Sequence, residues 1–174
     1  TLYAKWSANV YYLTIDAQSG SCAYAKLYEK YDTGWYTDEA CTNEITSDTV
    51  LTVPTRSGYA FMGIYGTTDG SGDCYITAAG KKTAAVTNTI ISGNSVTLYA
   101  VWSNKYTITY SANTTDTVTG SMQTQTVTRG VATALTANTF VRSGYVFAGW
   151  MTAADGTDAV YTDAQEVTDI AATG

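Results

Sequence analysis

Thr1-Leu2-Tyr3-Ala4-Lys5-Trp6 and Thr97-Leu98-Tyr99-Ala100-Val101-Trp102 are one hexapeptide written twice, 96 residues apart and different only at the fifth position. A short polar link follows each copy, Ser7-Ala8-Asn9 or Ser103-Asn104-Lys105. Next comes an alternating stretch, Tyr11-Tyr12-Leu13-Thr14-Ile15-Asp16-Ala17, echoed 95 residues later by Tyr106-Thr107-Ile108-Thr109-Tyr110-Ser111-Ala112. Farther along, Arg56-Ser57-Gly58-Tyr59-Ala60-Phe61-Met62-Gly63 returns as Arg142-Ser143-Gly144-Tyr145-Val146-Phe147-Ala148-Gly149, and Asp69-Gly70 returns as Asp155-Gly156, both at a spacing of 86. Blocks that repeat in one order mark tandem modules. The fall from 95 to 86 gives the first module about nine extra residues between Ala17 and Arg56.

The blocks read as strands. Large apolar or aromatic residues alternate with threonine in Tyr106–Tyr110, the period of two expected when one sheet face is buried. Leu98, Ala100 and Trp102 fall on one side of the hexapeptide and Tyr99 and Val101 on the other, which suits a central strand covered on both faces. Gly58 and Gly144 are expected at positive φ, turning the chain into the next strand. Phe61 and Phe147 are expected to point into the core, and Gly63 and Gly149 to mark a bulge or a close backbone crossing. The segments Asp69–Asp73 and Asp155–Asp158 read as hairpin turns. Helical signals are confined to 132–137 and 162–167, each enough for a turn or two.

Composition agrees with a β protein and removes several functions. Of 174 residues, 33 are Thr and 15 Tyr, the types that fit a pleated, half-buried surface. With no histidine, Ser-His-Asp or Cys-His catalysis and imidazole metal ligation are excluded. A net charge of −6 with nine Lys and Arg argues against nucleic acid and anionic membrane as partners. Charged residues make up 14% of the chain, and the composition points to an extracellular protein. No stretch approaches the ~20 apolar residues of a membrane span. Thr1–Trp6 has neither the pattern of a signal peptide nor an initiator Met, so the chain reads as a piece of something longer, with any export signal upstream.

Taken together, the order Tyr-Thr-Ile-Thr-Tyr, Arg-Ser-Gly-Tyr-Val-Phe-Ala-Gly-Trp, Asp-Gly and Thr-Leu-Tyr-Ala-x-Trp resembles the internalin B-repeat family, also called the Listeria–Bacteroides repeat. The resemblance covers nearly the whole chain and is densest at Gly144–Trp150. It implies a mainly β, β-grasp-like fold: small modules strung in tandem in large exported bacterial proteins that serve as surface adhesins or stalks. The first module departs from the pattern, with Ile64-Tyr65 in place of the usual Gly-Trp and an insertion over Glu29–Thr42.

The register of the blocks divides the chain into 1–6, the closing strand of a preceding module; 7–103, a first module with the insertion; and 104–174, a second module without its closing strand. The second module runs through Ile170-Ala171-Ala172-Thr173-Gly174 to the point where the first has Ile90-Ile91-Ser92-Gly93. One reading is a single period of a longer covalent array. Another is that Thr1, Leu2, Tyr3, Ala4, Lys5 and Trp6 of one molecule fill the open sheet of the next, building open filaments. Under both, consecutive units share a strand at their joint. Thr1–Trp6 folded back to complete residues 104–174 of its own molecule, or left dangling in solvent, rules the polymer out.

The three cysteines, Cys22, Cys41 and Cys74, form no C-x-x-C pair, so a thiolate metal site is not expected. In an exported protein one disulfide and one spare thiol are expected, with all three pairings open; three reduced, half-buried thiols are the alternative. Asp38-Glu39, Asp69/Asp73 and Asp155/Asp158/Asp163 make no pair placed for glycoside hydrolysis and no complete calcium loop. Gly80-Lys81-Lys82-Thr83 lacks both the first glycine and the Lys-Ser/Thr step of a phosphate loop. Asn113-Thr114-Thr115 is a glycosylation sequon without consequence in a bacterial protein. Most of the aromatics are expected in the core, and Tyr28, Tyr31, Trp35 and Tyr36 of the insertion are expected to be exposed as a contact patch.

These readings converge on a non-enzymatic, extracellular structural segment of a bacterial surface protein. No catalytic, cofactor or metal residues are expected. The partners are copies of the chain head to tail, or adjacent repeats of the same chain. The alternative is an adhesin module that binds a host or microbial glycan or protein.

Overall fold

Threonine and aromatic alternation becomes strand in the longer elements of the computed structural model, which describes residues 1–87, 95–158 and 160–170. Ile90–Gly93 and Ala171–Gly174, used above to set the register of the ends, lie outside the described residues. The strands are β1 (Val10–Asp16), β2 (Lys26–Lys30), β3 (Gly34–Tyr36), β4 (Tyr59–Tyr65), β5 (Cys74–Thr77), β6 (Ser95–Ile108), β7 (Val118–Thr119), β8 (Gln125–Thr128), β9 (Thr133–Ala134), β10 (Val141–Arg142) and β11 (Glu166–Val167). The structure is mainly β. Among the described residues no helix is long and apolar enough to cross a membrane. The chain forms two compact units, Thr1–Ser103 and Asn104–Gly174.

The first unit is a mixed sheet in the order β3-β2-β1-β6-β4-β5. β1 lies parallel to β6, with Thr14 facing Thr97, Ile15 facing Leu98 and Asp16 facing Tyr99. The hexapeptide Thr97–Trp102 is thus a central strand, hydrogen-bonded on both edges, as its two-sided pattern requires. Leu98 and Ala100 are buried with Leu13, Ile15, Leu27, Ile45, Ile64 and Ile76 in one core. Each Leu or Ile buried there contributes roughly 1.5–3 kcal/mol. β4 and β5 form an antiparallel hairpin through the Asp69–Asp73 turn, with a register shift at Ile64/Tyr65. Gly58 and Gly144 both have φ of 78°. The inserted residues supply β3, which pairs with β2 through Tyr28↔Tyr36 and Glu29↔Trp35 and widens the sheet.

In the second unit the Lys105–Ile108 end of β6 pairs antiparallel with β8, Tyr106 opposite Val127. Two short ribbons, β7 with β10 and β9 with β11, complete it. Among the described residues its buried apolar side chains are Val127, Leu135 and Val167, a smaller core than that of the first unit. Residues 132–137 and 162–167 differ from expectation. Where a helical turn was expected there are β9 and β11, locked together by the Leu135 amide donating to the Gln165 carbonyl at 2.9 Å. A single helical turn gains too few hydrogen bonds to offset its nucleation cost, and pairing across the chain buries Leu135 and Val167 instead.

Candidate functional site

The first unit shows what the closing hexapeptide does. On β6, Trp102 lies edge-on to Phe61, ring centroids 5.6 Å apart, and its indole Nε1 donates to the Ala17 carbonyl at 3.0 Å. Gly20 admits the indole: a Cβ there would stand 2.5 Å from the ring. β6 thereby seals the space between β1 and β4.

The repeat spacings give the counterparts in the second unit. The spacing of 95 carries Leu13, Ile15 and Ala17 onto Ile108, Tyr110 and Ala112; the spacing of 86 carries β4 onto Tyr145–Met151. Between these two segments lies an open groove of about 820 Å³, lined by Tyr106, Tyr110, Leu135, Phe147, Trp150 and Ile170 among others. Tyr145–Gly149 belongs to no strand, and Trp150 makes a single bridge, exchanging backbone hydrogen bonds with Tyr161 at 2.8 Å in each direction. Tyr145, Val146 and Phe147 are exposed, Val146 by 93%, whereas their twins Tyr59, Ala60 and Phe61 are half-buried. A sheet edge and an apolar floor are therefore both open among the described residues.

The floor is aromatic. Trp150 stands 4.8 Å from Tyr110, 4.7 Å from Phe147 and 6.3 Å from Phe140, centroid to centroid. Its Nε1 is buried without a hydrogen-bond partner. The Tyr110 hydroxyl accepts from the Thr136 amide at 2.9 Å and is hydrogen-bonded to Gln125, fixing the ring. At the rim, the Arg142 guanidinium lies 3.7 Å above the Tyr145 ring and is paired with Asp116, repeating Arg56 over Tyr59 at 3.8 Å. Among the described residues lining the groove, Arg142 alone is charged. This lining suits an apolar, extended chain held by backbone hydrogen bonds. It offers no acid, base and nucleophile in mutual reach.

The N-terminal segment, the cysteines and the insertion aromatics named from sequence are not among the residues lining the groove. Thr1–Trp6 forms no strand and is exposed throughout, Leu2 by 100% and Trp6 by 88%. The segment thus dangles in solvent, the arrangement that the sequence reading takes to rule the polymer out. That criterion is too strict for a lone chain, in which a donor strand and an unused tail have the same exposed form. Cys22, Cys41 and Cys74 are free and half-buried, their Sγ atoms donating to the carbonyls of Tyr24, Glu39 and Ile76. No group of three or more His, Cys, Asp or Glu that could hold a metal occurs among the described residues.

The aromatic patch expected in the insertion is not an exposed patch. Trp35 is 0% exposed and Tyr36 7%, Tyr28 is half-buried, and Tyr31 alone is exposed. β3 is short, but the chain beyond it folds back: the Ile45 amide donates to the Trp35 carbonyl at 2.7 Å, and the Trp35 ring stacks on Tyr75. The groove residues were named from sequence as strand and core residues and not as a site, although an open sheet in the second module was expected. The two repeat spacings, 95 and 86, are the signal that finds them.

Residues 106–172 match the Listeria–Bacteroides repeat domain. Over 108 residues the chain is 33% identical to a protein of Evansella cellulosilytica whose name describes a Gly-rich membrane protein. That match covers 61% of this chain, which spans about 12% of the relative's length. No solved structure matches the chain.

Proposed function

We propose that the chain is a non-enzymatic structural segment of a bacterial surface protein, exposed outside the cell, in which consecutive units share a strand at their joint and so build a stalk or a head-to-tail filament. The observation that carries this reading is the groove between Tyr106–Ala112 and Tyr145–Trp150, at the place where the first unit holds Thr97–Trp102. An open edge above an apolar floor is a recognition mode in itself: backbone hydrogen bonds supply affinity and alternate side chains supply selectivity. The repeat match over 106–172 and the membrane-protein name of the relative support a place at the cell surface. The alternative, an adhesin module for a glycan or a protein, drew on the insertion aromatics, and their burial leaves it Tyr31 and half of Tyr28.

A synthetic peptide, Thr-Leu-Tyr-Ala-Lys-Trp, tests the reading against a scrambled control. Saturable shifts in the NMR signals of Tyr110, Phe147 and Trp150, with a rise in melting temperature, are expected. Shifts no larger than those of the scrambled peptide would refute strand sharing.

A further inference from the structure

If consecutive units share a strand as proposed, the groove has a definite partner. We infer that the groove of the second unit binds residues 1–6 of a second copy of this chain, as a parallel strand in the register that β6 keeps with β1.

The register follows from residues already placed. Because Ile15 faces Leu98 and Asp16 faces Tyr99, the twin positions bring Leu2 beside Tyr110 and Tyr3 beside Ser111. Leu98, Ala100 and Trp102 share the core-facing side of β6, so Leu2, Ala4 and Trp6 turn toward the aromatic floor. The bond from Trp102 Nε1 to the Ala17 carbonyl has its counterpart in Trp6 Nε1 and the Ala112 carbonyl, and the edge-on partner Phe61 has its counterpart in Phe147. Phe147 is more than a third exposed, and Leu2 and Trp6 are almost wholly exposed, so one association covers both surfaces.

The single difference between the hexapeptides supports residues 1–6 as the occupant. Val101 packs on the Asp69-Gly70 turn: a Cβ on Gly70 would lie 3.2 Å from it. The twin turn is Asp155-Gly156-Thr157-Asp158, with two exposed carboxylates, and the segment that would meet it carries Lys5 instead of Val. A cation in place of the valine complements that turn. The contact is heterologous, groove to segment, so repetition gives an open chain of molecules.

Sedimentation velocity over a dilution series tests this on the intact chain, with the Ser111 amide and Trp150 indole signals as a second readout. Association that grows with concentration and shifts both signals is expected. Leu2→Asp with Trp6→Ser should weaken it roughly 30-fold or more, with circular dichroism unchanged because both side chains are exposed in the monomer. Lys5→Glu should weaken it roughly threefold to tenfold. A chain that stays monomeric although the synthetic hexapeptide binds overturns the second-copy partner and leaves strand sharing in place; a chain that binds neither overturns both. Association equally strong in the double variant overturns it, as do groove signals already shifted in dilute monomer, which place residues 1–6 on their own chain.

Discussion

At the scale of single residues, Gly63 and Gly149 show how closely the two units copy each other. Their φ angles are 142° and 141°, and a Cβ would stand 2.7 Å from the Ile76 carbonyl oxygen in one unit and 2.7 Å from that of Tyr161 in the other. Either Gly→Ala change should cost about 1–3 kcal/mol or more, since both backbone strain and a carbonyl clash oppose the methyl. Gly58→Ala, at φ 78° with nothing within 4 Å, should cost about 1–2 kcal/mol. Urea unfolding of the three variants measures the difference. A second prediction concerns acid. Backbone and side-chain hydrogen bonds from Ser71, and one from Thr67, hold the Asp69 carboxyl at about 2, below its ordinary 3.8. Thr157 lowers Asp155, and Thr42 with Asn43 lowers Asp38. A depressed folded-state pKa stabilises fully above the ordinary value and is lost as pH falls through the folded one. The urea midpoint should therefore hold steady down to about pH 4 and drop between 4 and 2, and Asp69→Asn should shrink that drop.

Among the elements, β6 gives the sharpest comparison because its sequence occurs twice in different surroundings. Leu98 is 2% exposed in the core, and Leu2 is fully exposed. Leu98→Ala should cost about 2–5 kcal/mol, the range for a buried leucine that leaves a cavity. Leu2→Ala should leave monomer unfolding within about 0.5 kcal/mol. Equal effects in a denaturant titration would show that Thr1–Trp6 is already packed in the isolated chain. This element was also the most legible: an apolar residue at every second position with Tyr and Val between predicts a two-sided, central strand. Short ribbons such as β9 and β11 were not legible, because two residues carry no period and their partners lie some thirty residues away.

On the scale of the whole molecule, the two units differ in how much they bury. Among the described residues, eleven of those forming the buried core, Leu13 through Ala100, lie in the first unit and three, Val127, Leu135 and Val167, in the second. Local opening follows buried apolar contact. Native-state hydrogen exchange should therefore find amides near Leu13, Ile15 and Leu98 far slower than those near Val127, Leu135 and Val167. The proposed docking of the hexapeptide in the groove of the second unit predicts that an excess of it slows the second set and not the first. Equal protection across both units would mean that the open groove costs the second unit nothing.

Strand character, the central place of Thr97–Trp102, the turn at each Arg-Ser-Gly-Tyr and the kinship of the two halves were all present in local order, because pleat period and turn chemistry involve residues close together along the chain. Burial was another matter. Trp35 and Tyr36 look like exposed insertion aromatics until β3 joins the sheet edge and Ile45 closes over them, and Tyr110, Phe147 and Trp150 look like ordinary core until no described strand lies between them. Exposure depends on which distant segments pair, and pairing is set by the folded chain as a whole.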